Sequence, residues 1–381
     1  MKRLAFIIAA CAVVAAPTAA ALDPIQEKSL LRMAIKLSGL SAREPIWVVT
    51  DTPARFRQRR IALLDRSYPR AAQAYDERVY RALGLTAAGT GVLRRTLLAL
   101  LDTPGLYDTD ARTAFVPAGP DEAEAALREV VHGLQDQNFD LGRIRRLRGG
   151  ADARIAARAA VEGYATLSTR RAPGRRRTSQ RDPALLRFLR LRRDFVDSVG
   201  LRFEADLDSV GGSKATIESL RLFPATSEQV LHLDKYLQRE PAAKVALPAR
   251  AAGLRLAGES TFGELDVRSL LTVFGAPRVD RTASGWGGGR TARYTGGGRE
   301  AVAVVLDWDT ALDAAQWGAA VALYVEAAFS ASTTSTCAVT TCWETGSRAI
   351  AFDRSGRRSA LVLGADRGSA ESLARALTTR F

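Results

Sequence analysis

Glu129 and His132 have the residue types and the spacing of two groups that act together in zinc-dependent hydrolysis. On a helix with the pattern H-E-x-x-H, two histidines at i and i+4 bind one metal ion, and the glutamate beside the first histidine activates a metal-bound water. Here Arg128 stands at the first ligand position, and a guanidinium stays protonated and cannot coordinate zinc. An ordinary helix with a structural histidine also contains such a fragment, so the surrounding sequence has to decide.

Local patterns predict the elements that would position this fragment. A proline and two acidic residues at its start favour a helix over residues 120 to about 137, on which Arg128 and His132 share one face. Before it, apolar residues on both sides of a polar turn predict a β-hairpin over residues 105–117. A second helix is predicted over about residues 152–169.

The whole chain reads as an α+β fold. A mainly helical part, with an edge hairpin before the REVVH helix, covers residues 22–168. Residues 169–183 are Arg-rich, contain two prolines and lack periodicity, which predicts a loop or linker. Residues 184–381 mix strands and helices, and we expect this half to pack on the first. Within it, residues 226–237 are predicted to form one helix that carries His232.

The first residues indicate export. A short basic start and an apolar run lead to Ala19-Ala20-Ala21, which predicts a signal peptide over residues 1–21 and a secreted or cell-envelope location. Lipidation at Cys11 is the alternative. Cys337 and Cys342 are then expected to form a disulfide rather than a metal pair, since no second Cys or His pair accompanies them. No later segment is apolar enough to predict a membrane span.

The charge balance leaves two interpretations open. The chain has 381 residues, 47% of them hydrophobic and 25% charged, which is typical of a folded globular protein. Its formal net charge is +14, which suits a polyanionic partner but also follows from a composition rich in Ala, Gly and Arg. Because no nucleic-acid-binding motif accompanies the charge, we expect no nucleic-acid partner.

Several motifs occur in the order found in one protein family. They are Gly105-Leu106-Tyr107-Asp108, HGLQDQNFDL from His132 to Leu141, Glu162-Gly163-Tyr164-Ala165-Thr166, TSEQVLHLDKY from Thr226 to Tyr236, FGEL from Phe262 to Leu265, GWGG from Gly285 to Gly288, and WDT with DA from Trp308 to Ala314. Over nearly all of the chain after the signal peptide, the sequence resembles a family of secreted bacterial HExxH metallopeptidase-like proteins of the gluzincin type. In that family the corresponding motifs include a GFYD-type hairpin, HALQDQHFDL and EGDAT.

The resemblance implies a role for each matching residue. His132 matches the second zinc ligand, Glu129 the general base and Glu162 the third ligand. Asp136, one turn after His132, is a candidate to support a ligand, and Tyr107 with Asp108 matches the edge of the cleft. The family also has a histidine at the place of His232, so His232 is a poor candidate for a replacement ligand.

Three positions depart from the family pattern: Arg128 replaces the first zinc ligand, Tyr164 replaces the Asp of EGDAT, and Gly289 replaces the acid that follows GWGG. We expect the Arg128 guanidinium to occupy the metal space and to pair with Glu162; the alternative is that Arg128 points to solvent.

The resulting hypothesis is an exported pseudoenzyme with a degenerate HExxH site and no cofactor, which binds a peptide or a cell-envelope component. One alternative is an active zinc peptidase with an unusual ligand set. Another is a basic protein that binds envelope polyanions.

Overall fold

The computed structural model describes residues 20–21, 23–87, 89–170, 179–330, 333–337, 340–345 and 348–379. The helices are α1 (Pro24–Ser38), α2 (Pro53–Ser67), α3 (Arg70–Ala82), α4 (Val92–Ala99), α5 (Glu122–Phe139), α6 (Gly150–Thr169), α7 (Ala184–Asp194), α8 (Gly200–Arg221), α9 (Ser227–Leu231), α10 (Leu233–Leu237), α11 (Glu264–Val273), α12 (Val279–Ala283), α13 (Ala311–Phe329) and α14 (Arg367–Thr378). The strands are β1 (Ala20–Ala21), β2 (Trp47–Asp51), β3 (Leu106–Asp108), β4 (Thr113–Pro117), β5 (Arg250–Ala251), β6 (Leu254–Thr261), β7 (Trp286–Gly296), β8 (Arg299–Trp308), β9 (Thr333–Thr336), β10 (Thr341–Thr345), β11 (Arg348–Ser355) and β12 (Arg358–Gly364). The predicted signal peptide, apart from β1, and Cys11 lie outside the described residues.

The N-terminal half is a layer of helices on a small sheet. Its four strands have the order β1-β2-β4-β3, with β2 and β4 parallel and the other pairs antiparallel. Val48 of β2 and Val116 of β4 turn their side chains into a core that α5 fills with Val130, Val131 and Leu134. The predicted hairpin is confirmed, and its strand β3 forms one edge of the sheet.

The C-terminal half is built on an antiparallel sheet of eight strands in the order β5-β6-β7-β8-β12-β11-β10-β9. Alternate residues of β8 point to opposite faces, as the pleat of a strand requires. Val304 packs with Trp317 of α13 on one face, and Val305 packs with Leu373 of α14 on the other. The α+β class predicted from the sequence is therefore confirmed.

Helices on both sides of the Arg-rich segment pack together. Ala159 and Ala160 of α6 share a buried cluster with Phe195, Phe203 and Leu207, which follow that segment in the sequence. Close approach depends on two glycines, because a Cβ at Gly163 would lie 2.2 Å from the backbone oxygen of Gly200. Helix α8 thus continues the helical layer, and the division of the chain into domains stays a prediction.

The single helix predicted over residues 226–237 is wrong. The segment forms α9 and α10, and the backbone of His232 between them is extended, with φ −128° and ψ 99°. The imidazole of His232 faces the carboxylate of Glu264 on α11, with Nε2 3.0 Å from Oε2. This tertiary contact accompanies the break, which helix propensity alone does not reveal.

Candidate functional site

The candidate site lies between α5 and α6. Helix α5 buries Glu129 and His132 on the same side as its apolar stripe, leaving 2% of Glu129 and 5% of His132 exposed. Helix α6 carries Glu162, whose side chain is 30% exposed. Buried ionisable groups need charged or hydrogen-bonded partners, so their contacts define what the site can do.

Arg128 is turned inward and occupies the centre of this group. Its Nη2 donates to Oε2 of Glu162, and its Nη1 lies 3.8 Å from Oε1 of Glu129. The side chain is 13% exposed, which places it inside the cleft and not on the outer surface. The charge of Glu162 raises the pKa of Arg128. The contact expected from the sequence between Arg128 and Glu162 therefore forms.

Glu162 is held in its charged form by its neighbours. Burial raises the pKa of its carboxyl group, but the opposing charges of Arg128 and then His132 outweigh burial and lower the pKa below its ordinary value. The oxygen that contacts Arg128 also lies 3.4 Å from Nε2 of His132. Oε2 of Glu162 thus faces Arg128 and His132 at the same time. To bind a metal ion, this oxygen would have to give up its contact with Arg128.

His132 is oriented by Gln135, a residue that the sequence analysis did not single out. The amide nitrogen of Gln135 donates to the backbone oxygen of Val161 at 3.0 Å, which turns its amide oxygen toward Nδ1 of His132 at 2.8 Å. Nδ1 therefore carries a proton, and Nε2 faces Glu162. Burial lowers the pKa of His132, but the charge of Glu162 raises it, with a net increase. The signal in the sequence was the spacing i, i+3 within HGLQ.

Glu129 is enclosed by the β3–β4 hairpin. Burial raises the pKa of its carboxyl group above the ordinary value, and the nearby backbone of Tyr107 opposes that rise only in part. A Cβ at Gly105 would lie 2.5 Å from Cγ of Glu129, so only glycine allows the hairpin backbone this close. Glu129 is thus enclosed by protein groups. A general base would instead have to contact a water molecule.

The predicted cleft-edge residues brace the hairpin. The Tyr107 hydroxyl donates to Oδ2 of Asp136 at 3.1 Å, and Oδ1 of Asp136 accepts from the backbone of Leu141 at 2.8 Å. Asp108 accepts from Arg66 and from the turn backbone. Asp136 therefore links α5 to the hairpin, and the side chain that holds His132 is Gln135 and not Asp136.

Two of the departures from the family pattern have structural explanations. Tyr164 is buried, and its hydroxyl donates to the backbone oxygen of Ser38 at 2.5 Å, which joins α6 to α1. Gly289 lies in β7, where a Cβ would be 2.3 Å from the backbone oxygen of Phe262. A side chain at position 289 would require the sheet to shift.

The donor set does not fit zinc. A catalytic zinc takes three protein ligands and an open position, and only His132 and Glu162 remain, with Glu162 engaged by Arg128. Among the described residues, two other groups bring donor atoms within 4.8 Å of one another: Cys337, Cys342 and Glu371, and Glu228, Glu240 and Asp309.

Neither of these groups is open to a metal ion. The cysteines form the predicted disulfide, with Cα atoms 5.8 Å apart. In the acidic group the ammonium of Lys235 lies 2.6 Å from Glu228, 3.1 Å from Glu240 and 2.9 Å from Asp309.

Comparison with known proteins adds one match. Residues 253–374 match the model of a domain of unknown function (DUF8575), a segment that runs from the start of β6 into α14. No curated protein and no solved structure matches the chain. The matched segment includes the disulfide. It does not include the residues of the candidate site, which lie on α5 and α6. Across the described part of the chain, none of the helices combines the length and apolarity needed to cross a bilayer.

Proposed function

We propose that this protein is an exported, non-catalytic relative of gluzincin-type metallopeptidases, and that it uses the former catalytic cleft to bind a peptide or a cell-envelope component. The observation that carries the proposal is the contact of Arg128 with Glu162, which puts a permanent cation where the resemblance expects a zinc ion.

Electrostatics supports the loss of the metal. A unit charge about 4 Å from a divalent ion is repelled by roughly 8 kcal/mol at an effective dielectric constant near 20. Removal of Arg128 from the space would leave Glu162 with His132 alone, at 3.4 Å. An inward Arg128 therefore repels the zinc ion. An outward Arg128 leaves two protein ligands, which are fewer than catalytic zinc sites use, so neither position allows tight zinc binding.

A binding role is supported by the charged side chains of α6 that solvent still reaches. The side chain of Glu162 is 30% exposed, and Arg158, one helical turn before it, is also reached by solvent. The edge strand β3 lies beside these residues, and Gly105, just before it, packs closely against Glu129. Charged side chains that solvent reaches, without a free metal position beside them, are suited to holding a charged ligand and not to hydrolysing it.

The test is to restore the missing ligand. We expect the purified protein to contain no stoichiometric zinc, the Arg128→His variant to bind about one zinc ion per chain, and Arg128→His combined with Glu162→Ala to bind much more weakly. Metal content after dialysis and calorimetric titration with zinc would measure this. Arg221→His is the matched control, because Arg221 pairs with Glu218 on the surface of α8 and should gain no zinc.

Two results would contradict the proposal. One tight zinc ion in the unaltered protein, together with hydrolysis of casein that a chelator abolishes, would favour the active peptidase with an unusual ligand set. No zinc binding by Arg128→His would mean that this cleft does not have gluzincin geometry.

A further inference from the structure

Three charged residues follow one face of α6 toward the site. Arg154, Arg158 and Glu162 are spaced at i, i+4 and i+8, so successive members are neighbours on the helix surface. Glu162 forms an ion pair with Arg128. Within the described part of the chain, Arg154 and Arg158 have neither an ion-pair nor a hydrogen-bond partner. The face therefore carries two positive charges beside the candidate site that lack a direct ion-pair partner among the described residues.

The surrounding charged residues have other partners. Arg192 of α7 pairs with Asp266, and Arg193 pairs with Asp197 at 3.5 Å. Asp76 of α3 interacts with Arg154 electrostatically, but its carboxylate accepts from the Tyr68 hydroxyl, and burial raises its pKa. The acids near Arg154 and Arg158 are thus engaged elsewhere or are poorly ionised.

Arg158 is exposed to solvent, and Arg154 is half-buried. Burial of the Arg158 guanidinium by the surrounding protein, and then the charge of Arg154, nevertheless lower the pKa of Arg158. Two like charges at i and i+4 repel each other and destabilise a helix. Two neighbouring arginines without ion-pair partners among the described residues therefore repel each other, and a bound anion would relieve that repulsion.

We propose that this face of α6 binds an extended acidic peptide, with Arg154 and Arg158 each taking one carboxylate. This inference rests on the proposed peptide-binding function and names the class of ligand. The spacing supports it: Cβ atoms at i and i+4 of a helix are about 6 Å apart. Side chains at alternate positions of an extended strand are about 6.7 Å apart. The ligand should thus carry Glu or Asp at every second position.

The probe is a fluorescein-labelled peptide with glutamate alternating with serine. Its two comparison peptides have glutamine at the same positions, or the same glutamates in one block. Fluorescence anisotropy at low and high salt should show that the alternating acidic peptide binds most tightly and weakens with salt. The variant with Arg154→Gln and Arg158→Gln should lose about tenfold affinity per arginine, since each charge-assisted contact is lost.

The matched control removes two arginines elsewhere. Arg250 and Arg255 are exposed, face each other across β5 and β6, and have no partner within the described residues. Replacing both by glutamine changes the net charge by the same amount and should alter affinity less than twofold. Arg158→Lys keeps the charge and should retain most of the binding. If the double variant proves less stable, Arg158→Gln alone should still lose about tenfold affinity.

Three outcomes would overturn the inference. They are equal binding of the acidic and glutamine peptides, equal losses in the two double variants, and equal affinity for the alternating and block peptides. Equal losses would indicate attraction by net charge, as for a general polyanion binder. The zinc titrations remain independent, because stoichiometric zinc in the unaltered protein would refute the non-catalytic function while leaving the peptide result intact.

Discussion

Replacement of Arg128 by methionine should destabilise the protein through the charge that it leaves behind. The variant keeps an apolar stem in the cleft but removes the partner of Glu162. At an effective dielectric constant near 20, a charge-assisted contact of about 2.8 Å has a gross attraction of about 6 kcal/mol. Desolvation of both groups offsets most of this in the folded protein.

The expected loss for Arg128→Met is about 2–3 kcal/mol at neutral pH. Removing one partner of a fully buried pair costs about 3–5 kcal/mol. The 30% exposure of the Glu162 side chain and its contact with His132 at 3.4 Å reduce that value. Glu162→Gln should restore part of the stability in the Arg128→Met background, because it removes the carboxylate that Arg128 contacts directly.

Urea unfolding of the four proteins in this double-mutant cycle measures the coupling. The pKa of Glu162 is lowered in the folded state, so its ionisation stabilises the fold above the unfolded pKa of about 4.3. That contribution disappears as the pH falls through the folded pKa, and the unaltered protein and Glu162→Gln should then converge. Arg145→Met, at an exposed pair with Asp110, should cost at most about 1 kcal/mol. Additive effects of Arg128→Met and Glu162→Gln, or a loss no larger than that of Arg145→Met, would refute the reasoning.

Three further predictions concern stability. Glu204 is fully buried, its Oε1 accepts from Ser219 at 2.6 Å, and burial raises its pKa well above the ordinary value. Because such a group stabilises the fold less as the pH rises above about 4.3, Glu204→Gln should be more stable at pH 7 by on the order of 1 kcal/mol, with a flatter pH profile in urea unfolding. Gly163→Ala should lower the free energy of unfolding by about 3 kcal/mol or more, because its Cβ would clash with Gly200. Gly119→Ala is the control and should be near neutral, because a Cβ there meets nothing within 4 Å. Equal midpoints of the two variants in thermal unfolding would count against the α6–α8 contact. Cys342→Ser should lower the free energy of unfolding by about 2 kcal/mol, as expected for a disulfide loop of this size, and should leave one free thiol on Cys337. Free thiols on both cysteines of the unaltered protein would disprove the disulfide.

The sequence alone determined the features that depend on neighbours along the chain. The acids that start α5, the hairpin of β3 and β4, and the shared face of Arg128 and His132 follow from local chemistry and helical spacing. The same is true of the disulfide between Cys337 and Cys342, whose separation is only five residues.

Only the tertiary structure decided which groups meet across elements. Periodicity shows which face of α5 is buried but not which helix covers it. The contact of Arg128 with Glu162, 34 residues away, therefore depends on how α6 packs. Packing also made Gln135 the partner of His132 and, within the described residues, left Arg154 and Arg158 without an ion-pair partner. The physical reason is that helix spacing is set by the i to i+4 hydrogen bonds within one segment, whereas contacts between segments depend on the fit of side chains that are distant in the sequence.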